Sequence, residues 1–337
     1  MNKRTWYFGP GALRISLALL VVISHMSTLK LGGPAVLIFF ALSGYWVTKM
    51  YADKYRSASS LFVFYASRAM RIWPAFAVAF LIAFFALNLS SMPRDVSYLS
   101  GLLLFGVATT KMDVLGISWS LDIEMQFYVA VPLILALWSH FEVDIRARIA
   151  YAATITLILT ILGHFVHRNT GIALFLLQLP CFMTGFIIWA SNYKPSQKTA
   201  FFSLSLFVFS AAMLALHPES RFVIIRHGSV NQWWWPIFTM MWLAILIPFV
   251  AWNVRQSSGW LDRHLGNLSY SLYITHFPVI GISASFLAPL SINDRVFILG
   301  LVLIVAILFY LIVDRYFERM RERTIKSADV VKQAKSA

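Results

Sequence analysis

Ionisable side chains are rare in the apolar stretches of this chain, and the few found there are spaced for chemistry. Arg14 and His25 stand eleven positions apart, close to three turns of α-helix. They therefore share a helical face, separated by about 16 Å along the axis. A neutral imidazole in apolar surroundings suits general-base work on a hydroxyl. The plainer alternatives are a structural histidine bonded to a neighbouring helix, and an Arg14 that snorkels to the membrane interface. Ser120, Glu124 and Tyr128 follow one another at i, i+4 and i+8 and so share a face, with Asp122 and Gln126 directed elsewhere. Of 14 acidic residues only Asp122 and Glu124 fall inside an apolar segment, and Asp314 sits at a segment end. A carboxylate at Glu124 can orient and charge-stabilise an imidazole, or lock one helix to another by a hydrogen bond.

Arg68 and Arg71, at i and i+3, are placed on one side of a short helix. Such a pair can fork onto phosphate oxygens or serve as a plain cationic anchor at the interface. His276 lies mid-segment, while Asp314, Arg315 and Glu318 read as an ion-paired helix end. Metal-ligand spacings, a phosphate-cradling glycine loop and a cysteine cluster are all lacking. We therefore expect no metal and no permanently bound cofactor.

The elements that must position these groups are membrane spans. The 337 residues are 59% hydrophobic and only 12% charged, with a mean hydropathy of +0.73, against about a quarter charged in soluble domains. Blocks such as Leu17–Val22, Ala75–Leu87 and Val296–Val313 are too continuous for soluble core helices. The composition excludes a soluble enzyme, a disulfide scaffold (Cys181 is the one cysteine) and a disordered chain. The expected fold is all-α: a polytopic transmembrane helical bundle.

Apolar segments occur at 11–29, 34–50, 72–90, 98–110, 119–138, 148–166, 171–191, 199–216, 235–252, 269–289 and 296–314. Spanning takes about 20 residues, and 98–110 is too short. Basic residues test whether it crosses, because Lys and Arg collect on the cytoplasmic side. With the N-terminus inside and 98–110 not crossing, twenty basic residues fall inside and seven outside, with Arg14 inside the first span. Crossing by 98–110 would largely cancel that bias. We therefore expect ten spans, both termini cytoplasmic, and 98–110 re-entrant or interfacial. Gly11–Leu29 is expected to be a retained first span rather than a cleaved leader. Residues 1–320 read as one membrane-embedded domain and 321–337 as a basic, disordered cytoplasmic tail. The net charge of +14 belongs to these loops and calls for no nucleic acid. Trp233–Trp235 reads as an interfacial aromatic belt.

Several motifs, in order, resemble the acyltransferase-3 family of integral membrane proteins, which usually O-acetylate bacterial surface glycans and related molecules. They are Leu13-Arg14 followed after ten intervening residues by His25; Phe39-Phe-Ala-Leu-Ser-Gly-Tyr-Trp46; Arg68-x-x-Arg71 with Pro74; Trp119-Ser-Leu-Asp-Ile-Glu124-Met-Gln-Phe-Tyr128; and Leu265-Gly-Asn-Leu-Ser-Tyr-Ser-Leu-Tyr-Ile-Thr-His276. The set covers residues from about 10 to 320. Two acidic positions common in the family, before Leu13-Arg14 and before Phe39-Phe40, are occupied here by Gly11-Ala12 and by Pro34-Ala-Val-Leu-Ile. That leaves Glu124 as the expected partner of His25. With no esterase-like domain after the last span of this sequence, transfer is expected to finish within the membrane domain.

The resemblance implies an acyl-CoA donor, foremost acetyl-CoA, as co-substrate, and a saccharide or lipid-linked saccharide acceptor at the bacterial inner membrane. Arg68 and Arg71 would hold the nucleotide phosphates, Arg14 would lie along the pantetheine path, and His25 would act as base. A transient acyl-histidine is an alternative. Ser120, Tyr128 and His276 would line the acceptor pocket. The rival reading is a transporter or flippase of a lipid-linked sugar. The paired, broken helices expected of internal repeats are not evident, and an inner di-arginine site fits a phosphate-bearing donor better. Neither the acceptor nor an oligomeric state is legible.

Overall fold

The computed structural model describes residues 8–55, 60–89, 95–225, 235–287 and 291–324. Seven helices among them are long and apolar enough to cross a membrane: Gly32–Lys54 (α2), Leu61–Asn88 (α3), Ser118–His140 (α5), Ile145–Thr170 (α6), Gln197–Leu216 (α8), Trp260–Leu287 (α10) and Ile292–Thr324, whose regular α-helical part is Ile292–Phe309 (α11). Three shorter apolar helices, Pro10–Met26 (α1), Phe175–Ala190 and Ile237–Asn253, bring the total to the ten expected. The second of these joins a 3₁₀ turn, Phe175–Gln178, to the helix Leu179–Ala190 (α7). The third belongs to Trp235–Asn253 (α9).

The short segment forms a 3₁₀ helix, Val96–Leu103, and a single turn, Val107–Thr110 (α4). Leu104, Gly106 and Lys111 adopt positive φ, which ends each piece. Eight residues of 3₁₀ helix rise roughly 16 Å, half a bilayer core of about 30 Å. Two boundaries differ from expectation. α3 starts eleven residues before the expected 72, so Arg68 and Arg71 sit in the body of a long helix instead of a short interfacial one. Pro74 is accommodated inside that helix, where its missing N–H leaves the Met70 carbonyl without its usual donor. At the other end the last helix continues to Thr324, past the expected tail boundary at 321; residues 325–337 lie outside the described residues, as do Trp233 and Trp234 of the expected aromatic belt. For Trp235 the backbone alone is described.

Two compact units are distinguished: residues 1–45 with 181–273, and residues 46–180 with 274–337. In the first, the N-terminus of α1 is held by other helices. Gly9 at the N-cap offers no side-chain acceptor. The Asp262 carboxylate from the first turn of α10 takes the N–H groups of Gly11 at 3.0 Å and Ala12 at 2.8 Å. Ser258 donates to the same carboxylate at 2.5 Å, and Asn253 donates to the Phe8 and Gly9 carbonyls at 2.7 and 3.2 Å. Free N–H groups and a partial positive charge at a helix start favour such a carboxylate. A Cβ at Gly11 would run into the backbone carbonyl of Asp262, so α1 and α10 meet backbone to backbone. The same device joins α2 to α7, where Gly44 abuts the Phe182 carbonyl and Gly185 abuts Ala41 and Tyr45. Small residues permit this close approach where apolar lipid supplies no hydrophobic drive.

In the second unit, the turns before α5 are pinned by side chains. Asp122 accepts from Ala108 N–H at 2.9 Å and from Gln126 at 3.0 Å. Gln126 in turn accepts from Phe175 N–H at 2.9 Å, and Thr109 accepts from Ala173 N–H at 2.9 Å. Phe76, Phe80 and Phe127 fill the core beneath. The outward side chains of α6, among them Leu157, Ile158 and Phe165, form an apolar face suited to lipid.

The Asp262 contacts predict the effect of their removal. Asp262→Ala strips two acceptors from the start of α1 and should destabilise it by about 1–2 kcal/mol. Asp262→Asn, which keeps one acceptor oxygen, should lose less. Thermal unfolding of detergent-solubilised protein measures both; an unchanged midpoint for the alanine variant would contradict this role.

Candidate functional site

The expected site residues divide between the two units: Arg14 and His25 in the first, and Arg68, Arg71, Ser120, Glu124, Tyr128 and His276 in the second. Arg14 and His25 are both half-buried on α1, and share their face with Ala18 and Val21, which are almost completely buried. His25 lies in the last turn, where the next residue but three, Leu29, is tied back by its carbonyl accepting from Ser24 at 2.7 Å. The adjacent face carries Leu13, Leu17 and Leu20, which line an apolar cavity of about 150 Å³ with Ile38, Leu246 and Phe249. The α1 helix thus offers one packed apolar face and one face bearing a cation and an imidazole.

In the second unit, Tyr128 donates to Glu124 Oε1 at 2.6 Å, as their spacing on one helical face allows. Arg68 extends from α3 over the Tyr128 ring, its Cζ 6.0 Å from the centroid, a cation–π distance. Its Nε is buried with no hydrogen-bond partner, and among the described residues it forms no ion pair. Arg68, Tyr128 and Glu124 are therefore one cluster, held by side chains from α3 and α5. Ser120, also on that helical face, is buried and donates to the Ile117 carbonyl at 2.8 Å, a bond within its own helix start. His276 is fully buried in α10; the ring of the following Phe277 lies against Gly116.

Arg71 has a different environment from Arg68. Its Nη1 lies 3.3 Å from Asp314 and 3.4 Å from Glu318. The expected helix-end cluster of Asp314, Arg315 and Glu318 is corrected accordingly. Arg315 is exposed; both acids pair with Arg71, 243 and 247 positions away in sequence, and Glu318 also pairs with Arg321 three positions on. The local cause is a π-helical turn, Tyr310–Asp314, which inserts into the last span and changes its register, a feature frequent at functional sites.

Three further acids fix the ends of helices that carry the candidate residues; of these, sequence reading marked only Asp122, as one of two acids inside an apolar segment, and gave it no role. Asp262 sets the start of α1. Asp122, fully buried, ties α5 to the turn before it. Asp113 takes the Ser118 N–H at 2.8 Å and its hydroxyl at 2.6 Å, fixing the start of α5. Burial pushes the Asp113 carboxyl above the ordinary carboxylate range, and the two Ser118 donors pull it partly back. The available signal was modest: each lies within a few residues of a helix start. Among the described residues no group of three His, Cys, Asp or Glu side chains is placed to hold a metal ion.

Residues 8–314 match the acyltransferase-3 family, an acyltransferase domain. The O-acetyltransferase OatA of Staphylococcus aureus (strain NCTC 8325 / PS 47) is 25% identical over 332 residues, covering 88% of this chain and 54% of that protein. Nodulation protein 10 of Rhizobium leguminosarum bv. viciae is 26% identical over 136 residues, covering 34% of this chain and 36% of that protein. The chain thus spans about half the length of OatA. No solved structure matches it significantly. The family match runs from the start of α1 to the acid at the π-helical turn and takes in every expected site residue: this multi-pass membrane protein belongs to the acyltransferase-3 family.

Proposed function

We propose that the protein is a membrane O-acyltransferase that moves an acetyl group from cytosolic acetyl-CoA to a hydroxyl of a surface or lipid-linked saccharide. Family membership supplies the reaction type, and a relative named as an O-acetyltransferase supports acetyl as the group and oxygen as its destination. The observation that carries the donor side is Arg68: a guanidinium packed over Tyr128 with a buried, unpartnered Nε. An arginine taken from water without an ion-pair partner is expensive. An anion with several phosphate oxygens offsets that cost through charge-assisted, forked hydrogen bonds. Coenzyme A carries such phosphates.

In this reading His25 is the general base. It takes the proton of the acceptor hydroxyl as the oxygen attacks the thioester carbonyl. The C–O bond forms, the C–S bond breaks, and coenzyme A leaves as the thiol after receiving a proton. Arg14, on the same face of α1, lies along the path of the donor's pantetheine arm. Glu124 is an acid of the reaction machinery whose carboxylate Tyr128 holds in place, and Ser120 and His276 contribute to the acceptor pocket. In this reading both termini lie in the cytoplasm, as the bias of basic residues favours, the chain sits in the inner membrane of a bacterium, and the donor enters from the cytoplasmic side.

Two substitutions test this. His25→Ala should lower transfer by at least about a hundredfold, the scale of a lost general base, with unchanged protein abundance. Base-labile label moved from radiolabelled acetyl-CoA to saccharide in inverted membrane vesicles is the readout, and retained transfer removes His25 from the mechanism. Arg68→Ala should raise the donor KM by on the order of tenfold with a smaller change in kcat, the signature of lost ground-state binding. An unchanged donor KM would refute the phosphate role of Arg68.

A further inference from the structure

The last helix presents a second cationic group to the same region. Beyond the π-helical turn it continues to Thr324, and Asp314, Glu318 and Arg321 succeed one another at i, i+4 and i+7, on one face. The other arginines of this stretch, Arg315, Arg319 and Arg323, are exposed, whereas Arg321 is turned inward, its side chain only 16% exposed. Glu318 bridges the two helices: Oε2 lies 3.4 Å from Arg71 of α3, and Oε1 accepts from Arg321 Nη2 at 2.5 Å. Through Glu318, Arg321 is joined to Arg71, which stands one helical turn from Arg68 on α3.

Asp314 and Glu318 lie against Arg71, Glu318 also against Arg321, and Glu124 stands beside Arg68 through Tyr128, in a setting largely shielded from water. Arg71 is engaged by both acids. Arg68 and Arg321 each keep a buried Nε with no hydrogen-bond partner. A structural ion pair between Arg321 and Glu318 alone would not account for a buried, open donor on Arg321. Two guanidinium groups that each keep an open, buried Nε donor are complementary to an anion bearing several oxygens.

We propose that Arg321 is a third guanidinium of the donor-phosphate site, positioned by Glu318, which joins it to Arg71. This rests on the reading of Arg68 as a phosphate ligand and extends that site from α3 to the last helix. Arg71 then acts through its acid pair to hold α3 and the last helix together, and Arg68 and Arg321 make the contacts to the phosphates of the acyl-CoA.

Equilibrium binding of radiolabelled acetyl-CoA to the detergent-purified full chain tests it, alongside donor KM and kcat. Arg321→Ala should raise Kd and KM together by on the order of tenfold, with kcat within about twofold of wild type. Arg321→Lys should recover part of the affinity, since it restores charge but not the fork. Arg319→Ala, on the exposed face, should bind as wild type does. Glu318→Gln should weaken binding through loss of position, and a Glu318→Gln variant that binds normally would remove its positioning role. Should Arg321→Ala fail to yield folded protein, Arg321→Gln, which can still donate to Glu318, carries the same expectation. Normal binding by the Arg321 variants with weakened binding by Arg68→Ala overturns the inference and leaves the donor site standing. Normal binding by both sets overturns the donor site itself.

Discussion

A polar atom withdrawn from water has to find a partner, and in a chain this apolar that requirement organises the structure. The start of α1 exposes backbone N–H groups that no cap of its own satisfies, and Asp262, Ser258 and Asn253 converge on it. Asp122, with no exposure, sits where Ala108 N–H and the Gln126 amide can both donate to it. In each case one carboxylate organises backbone outside its own helix. The helices that carry the site are thus set by hydrogen bonds as much as by side-chain packing, as expected where lipid replaces water and the hydrophobic drive between helices fades.

The two arginines of Arg68-x-x-Arg71 show how the same requirement separates like residues. Three positions apart, they project in neighbouring directions from α3 but meet different surroundings. Arg71 reaches the acids of the last helix, and Arg68 reaches an aromatic ring and retains an unpartnered Nε. A buried pair such as Arg71 with Asp314 lends little net stability, because desolvation opposes the attraction, yet removing one partner strands the other. Its value lies in fixing one register of α3 against the last helix, which the π-helical turn makes possible. A motif that looks symmetric in sequence therefore holds an arginine paired with two acids beside one stacked over an aromatic ring.

Close backbone approach is the second means of assembly. Gly11 against Asp262, and Gly44 and Gly185 against their facing backbones, bring helices to distances that a side chain would forbid. These contacts are dense in the unit that contains α1, whereas α6 turns apolar side chains outward along much of its length. The family match covers α1 through Asp314, so the glycine contacts and the Arg71–Asp314 pair fall within the shared acyltransferase domain.

The count of ten apolar helices, the one segment too short to span and the shared faces of Arg14 with His25 and of Glu124 with Tyr128 were legible in the sequence. Each depends on local periodicity and composition, and these act over a few turns of chain. The early start of α3 was not, because residues 61–71 carry polar groups that mask a continuing helix. Nor were the partners of Arg71 and of the α1 N-terminus, which lie some 250 positions away. Periodicity places a side chain on a face but holds no information about which distant face it meets. That was settled by the tertiary structure, where desolvated charges and backbone groups allow few arrangements in which each finds its complement.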